Sequence, residues 1–124
     1  MVKQLYKGKG EREVAKFETV LKDRTFDEWI QRIENGILGR SASATLEDKS
    51  DFIAPDGRSK VSVRVFERYS AIGGNRVSLN LTFYQDETGE IHLSAITSGG
   101  SQAVFWKINT IGENSFLEVL KELL

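Results

Sequence analysis

The sequence predicts an α+β fold, a two-layer domain with two helices on one face of an antiparallel sheet. Three observations predict it. A capping box opens an amphipathic run at Thr25, runs with two-residue alternation follow between turn signals, and a second amphipathic run closes the chain. Each helix then has one apolar stripe and the sheet one apolar face, so stacking both helices on that face buries all three surfaces. A length of 124 residues fits one domain. We place that single domain at residues 14–124, behind a flexible lysine-bearing arm at residues 1–13.

The elements follow in order. "AKFETVLK" sets Ala15, Phe17, Thr19 and Leu21 against Lys16, Glu18 and Lys22, a half-buried strand. Thr25 to Glu28 has the spacing of a capping box, and Phe26, Trp29, Ile30, Ile33 and Ile37 recur at helical spacing behind it. Gly36 or Gly39 can stop this helix, which the pattern ends near Asn35. The period then switches to two: "RSASATLED" puts Ala42, Ala44 and Leu46 on one face, with Ser41, Ser43 and Thr45 on the other. Pro55 to Gly57 is a turn, after which Val61, Val63 and Val65 alternate with Lys60, Ser62 and Arg64. Ile72 to Asn75 reverses the chain again. Val77, Leu79, Leu81 and Phe83 then oppose Ser78, Asn80 and Thr82. Beyond "DETGE", Ile91, Leu93 and Ala95 oppose His92 and Ser94.

Residues 103–109, "AVFWKIN", favour a strand by residue type, although their spacing also suits a short helix. A second capping box at Thr110 to Glu113 leads into the stripe Phe116, Leu117, Leu120, Leu123 and Leu124. The resulting order, β-α-β-β-β-β-(β)-α, matches TATA-binding-protein-like and helix-grip folds by analogy of architecture. That analogy carries no function.

Composition narrows the chemistry. Lys plus Arg (17) nearly balances Asp plus Glu (18), which argues against a broad nucleic-acid footprint. Without cysteine there is no disulfide, thiolate metal site or thiol nucleophile, and His92 is the single histidine. No metal or other cofactor is expected. The first residues lack a signal peptide's apolar core, and no apolar run reaches the ~18 residues that read as a membrane span. The sequence therefore reads as cytoplasmic, with no nucleic acid or membrane as partner.

Two surfaces remain as candidates. The first is the loop "TSGGSQ", where Ser98, Gly99, Gly100, Ser101 and Gln102, with Arg76 nearby, could form an anion-holding nest. A phosphate loop of the Walker type needs Lys and Ser/Thr after the last glycine, and Ser101-Gln102 stands there instead. A plain reversal explains the same residues. The second surface is the sheet face turned away from the helices. The alternation assigns it Ser43, Ser62, Arg64, Ser78, Asn80, Thr82, His92 and Ser94, a face of short polar side chains that a second copy or a protein partner could approach closely. Its only aromatics, Phe66 and Tyr84, do not make a base-stacking platform.

An enzyme is not expected. His92 is the only base suited to neutral pH, and Ser94 lies roughly 6–7 Å along the same strand face, beyond hydrogen-bond reach. Trp29 and Trp106 could line a helix–sheet pocket, but core packing explains Trp29 within its helical stripe. The reading is a non-enzymatic module that binds a partner or itself through the sheet face. The alternative is a small-molecule or anion binder using the Thr97–Gln102 loop or a helix–sheet pocket.

Three stretches carry a family resemblance: "ENGILGRSASATLED", "VRVFERYSAIGGNRVSLNLT" and "SAITSGGSQAVFWKINTIGE". Together they resemble a family of small bacterial proteins, mostly from Firmicutes, catalogued as a domain of unknown function. The resemblance runs from about Phe17 to the C-terminus and implies a bacterial, cytosolic single domain. It implies no catalytic or binding residues.

Overall fold

The computed structural model describes residues 3–7, 14–69, 76–99 and 113–124. Six strands form one sheet: β1 (Lys3–Lys7), β2 (Val14–Leu21), β3 (Thr45–Ile53), β4 (Lys60–Tyr69), β5 (Arg76–Gln85) and β6 (Ile91–Gly99). Helix α1 (Phe26–Arg40) connects β2 to β3, and α2 (Glu113–Lys121) follows β6. The order across the sheet is β1-β2-β6-β5-β4-β3, with every neighbour antiparallel. Strands β3 to β6 are thus a meander, which β2 extends by pairing with β6. This is the α+β architecture that the alternation and the two stripes predict.

Alternation decides the buried face. Ala15, Phe17 and Leu21 of β2, Leu79, Leu81 and Phe83 of β5, and Leu93 and Ala95 of β6 are all buried on the helix side. Ile33 and Ile37 of α1 and Phe116, Leu117 and Leu120 of α2 close over them with no exposed surface at all. Phe26 meets Phe83 edge to face, with ring centroids 6.5 Å apart, and fixes the start of α1 on the sheet.

The N-terminus of α1 forms as its residue types require. The Glu28 amide donates to the Thr25 hydroxyl at 3.2 Å, and the Thr25 amide donates to the Glu28 carboxylate at 2.9 Å. The C-terminus differs from expectation. The helix does not stop near Asn35 but runs to Arg40, where the Ser41 amide caps Ile37 at 3.1 Å. Gly36 serves a contact rather than a stop, because a Cβ there would overlap the Leu123 side chain that follows α2. With Ile37 fully buried one position later, continuing the helix buries more apolar surface than ending it.

Three further segments depart from the sequence reading. Ser41 to Ser43 are not strand: Ser41 is the helix cap and Ala42-Ser43 a turn, so β3 begins at Thr45 and runs on through the charged "EDKSD" to Ile53. Part of the expected N-terminal arm, Lys3–Lys7, pairs with β2 as the other edge of the sheet. In β4 the phase is reversed. Ser62, Arg64 and Phe66 are buried on the helix side, and Val61, Val63 and Val65 face outward, half exposed. Register explains this: Phe66 stands opposite Leu79 and Arg64 opposite Leu81, and directly paired residues share a face. The strand-or-helix alternative for residues 103–109 and the second capping box lie outside the described residues, while Phe116, Leu117, Leu120 and Leu123 are buried as the stripe predicts.

Candidate functional site

The register builds the outer face row by row. Val61, Tyr84, His92 and Val20 form one row; Val63, Thr82, Ser94 and Glu18 the next; Val65, Asn80, Ile96 and Lys16 the third. Both helices pack on the opposite side, and among the described residues no helix or strand covers this one. Ser78, Asn80, Thr82, His92 and Ser94 therefore occupy the face that the alternation assigned to them. Ser62 and Arg64 do not, and Ser43 sits in the turn before β3.

Correcting those residues changes the surface chemistry. A ridge of three valines on β4 replaces the polar residues expected there, beside Tyr84 and Ile96, which are about 40% exposed (40% and 38%), and Phe52, which is 66% exposed. Lys16 and Glu18 pair with each other at 3.4 Å, so the charge on β2 is largely neutralised. Between β2, β6 and β5 the face dips into a shallow depression of about 410 Å³, lined by Val20, Thr82, Tyr84, His92 and Ser94. The outcome is an apolar surface with hydroxyls, open to solvent.

His92 stands at the end of this face with its ring stacked on Tyr84, centroids 5.8 Å apart. Its Nε2 faces Glu90 Oε1 at 3.3 Å and Asp86 Oδ2 at 3.5 Å. One ligand atom from each of the three residues lies within 4.8 Å of the others, a set that could offer three donors to a cation. The carboxylate of Asp86 already closes the β5–β6 turn: its Oδ1 accepts from the Thr88 hydroxyl and from the Thr88 and Glu90 amides. The Thr88 hydroxyl, followed by those amides and His92, holds the Asp86 pKa down at about 2.

The glycine loop is only partly described. Gly99 belongs to β6 with φ of 110°, and a Cβ on it would strike the Arg76 carbonyl oxygen. Here the glycine permits close approach of β5 and β6. The Ser98 hydroxyl meets that of Ser78 at 3.0 Å, and Arg76 pairs with Glu67 and stacks over Tyr69. Those groups are thus engaged across the open face. Gly100, Ser101 and Gln102 lie outside the described residues, as does Trp106. Trp29 is buried in the core, 4% exposed.

Turned inward, Arg64 becomes the centre of a site the sequence reading missed. Its Nε donates to Glu34 Oε2 at 2.9 Å, and its Nη1 to Asp51 Oδ1 at 2.8 Å and to the Val63 carbonyl at 3.0 Å. Burial opposes the Arg64 charge, but these carboxylates outweigh it and raise the pKa. The Ser62 hydroxyl and Arg64 in turn hold Asp51 below the usual carboxylate range. Phe66 is the signal that would have found this site, because it breaks the valine alternation and, being large and aromatic, claims the helix side for its own phase.

Comparison with known proteins adds a family. The family model described as "Family of unknown function (DUF6054)" matches residues 14–124, and the chain belongs to that family. No curated protein matches. Among solved structures, a protein of unknown function from Pseudomonas aeruginosa, PA94, described there as a candidate regulator, is similar in fold. The TM-score is 0.55 at 12% identity, over 100% of this chain and 81% of that one. Among the described residues, no helix is long and apolar enough to cross a membrane.

Proposed function

We propose that this chain is a non-enzymatic binding module that associates with a second copy of itself through the open face of its sheet. The observation that carries the reading is the ridge Val61, Val63 and Val65 beside Tyr84 and Ile96, on a sheet whose two described helices both lie on the other side. Contiguous exposed apolar surface of this kind favours burial against another protein. Short hydroxyl neighbours such as Ser94 and Thr82 allow the approach of about 10 Å at which two sheets stack. The proposal keeps the bacterial, cytoplasmic setting suggested by the sequence.

Sedimentation equilibrium tests it. The wild-type chain is expected to dimerise, and Val63→Lys with Thr82→Lys, neighbours across β4 and β5, to leave a folded monomer with the circular dichroism of the wild type. A wild-type chain that stays monomeric at the highest attainable concentration, or a dimer unaffected by both lysines, would refute it.

A further inference from the structure

The helix side of the sheet carries a second, chemically different surface. Between α1 and the β3–β4 edge runs a groove of about 450 Å³, and the buried Arg64 forms part of its floor. Arginine has five N–H donors. In Arg64, Nε and Nη1 are taken by Glu34, Asp51 and the Val63 carbonyl. Among the described residues Nη2 has no acceptor, and it is not among the sealed, unpaired polar atoms either. Nη2 therefore keeps some contact with solvent, and Arg64 lines the groove.

The rest of the lining mixes charge with apolar surface, and Asp27 and Gln31 of α1 belong to it. Phe26 and Ile30 form an apolar wall on α1, and Ile53, 68% exposed, stands at the end of β3. Lys49 and Lys60 line the groove without an ion pair among the described residues; Lys60 lies 5.7 Å from the Phe26 ring centre. Arg64 is held in place by carboxylates from two different elements, so its open end is presented in a fixed direction. A fixed donor, two adjustable ammonium groups and an apolar wall suit one kind of molecule.

We propose that this groove binds a small organic carboxylate with an apolar body. The carboxylate accepts from Arg64 Nη2 and from Lys60 or Lys49, while the body lies along Phe26, Ile30 and Ile53. Glu34 and Asp51 orient the guanidinium, and with Asp27 they balance the charges of Arg64, Lys49 and Lys60, so a bare inorganic anion gains little and a ligand must also bring apolar contact.

The test uses the full chain and 3-phenylpropionate as the probe, followed by amide chemical shifts in NMR. Saturable shifts are expected at Ile30, Asp51 and Ser62, with none from phenethylamine, which has the opposite charge. Arg64→Lys and Ile53→Asp should each weaken binding about tenfold or more, the scale of one hydrogen bond to a charged group. Ile53 is exposed at a strand end, so Ile53→Asp keeps the test valid if Arg64→Lys fails to fold. The proposal is overturned by the absence of saturable shifts, by an equal response to phenethylamine, by shifts confined to the outer face, or by an Ile53→Asp variant that binds as tightly as wild type.

Discussion

The helix-side face of the sheet has two halves, and they solve burial differently. Over β2, β6 and β5 it is sealed: α2 packs on all three strands, and Leu79, Leu81, Phe83, Leu93 and Ala95 are almost wholly buried. Over β3 and β4 the cover thins. There the inward positions carry Lys49, Asp51, Ser62 and Arg64, and the groove opens. The two described helices do not span six strands, and the residue types record where their cover ends. Where it is complete, aliphatic and aromatic side chains interlock. Where it stops, a buried polar group is admissible only when hydrogen-bonded, which is why Arg64 arrives with Glu34 and Asp51.

That contrast can be tested by substitution. The largest effect is expected in the sealed half, where Leu81→Ala should cost about 3 kcal/mol of unfolding free energy by urea denaturation, because the surrounding core cannot collapse into the gap. A cost below about 1 kcal/mol would show that this half is loosely packed. At the end of the same half, Gly99→Ala should cost about 2 kcal/mol, since it adds left-handed backbone strain to an overlap with the Arg76 carbonyl. Stability equal to wild type would mean that β5 and β6 part easily at that point.

The smallest effect belongs to the open half and depends on pH. A carboxyl group whose pKa is lowered by folding lends stability that is complete above its unfolded pKa and lost as the pH falls through the folded value. Asp51 is such a group, held down by Ser62 and Arg64. Asp51→Asn should therefore flatten the loss of melting temperature on acidification below about pH 4, the ordinary aspartate range. At neutral pH the change should stay within about 1 kcal/mol, because the side chain is 53% exposed and water screens the pair. An acid limb as steep as that of wild type would remove Asp51 from the account.

The two halves also differ in how plainly the sequence announces them. In β5 and β6 the inward residues from Val77 to Phe83 and from Ile91 to Ala95 are apolar and those between them polar, so phase and burial coincide, and Val77, Leu79, Leu81, Phe83, Ile91, Leu93 and Ala95 all lie where alternation puts them. Strand β4 has equally clean alternation and the opposite phase, since valine suits an exposed strand face as well as a buried one. Within the strand only Phe66 points to the phase, and the pairing with β5 that fixes it is not a local property. Strand β3 was legible in still smaller part: an edge strand with both faces mostly wet needs no apolar stripe, and its charges guard the edge against further pairing. The outer-face hydroxyls were readable for the same reason as β5 and β6. The groove was not, because it rests on the inverted strand and on a helix that continues past two glycines.

The register between β2 and β6 bears on how the chain can be assembled during synthesis. The meander of β3, β4, β5 and β6 can grow by successive hairpins, each closing with residues already made. Strand β2 can pair at once only with β1, because its other partner, β6, is the last of the described strands to emerge. Until then the apolar face of Ala15, Phe17 and Leu21 has no meander to pack beside, and the nascent chain carries it unshielded. Pulsed hydrogen exchange on chains stalled at increasing lengths should show amide protection in β4 and β5 before any in β2. Protection of β2 before β6 is complete would reverse that order.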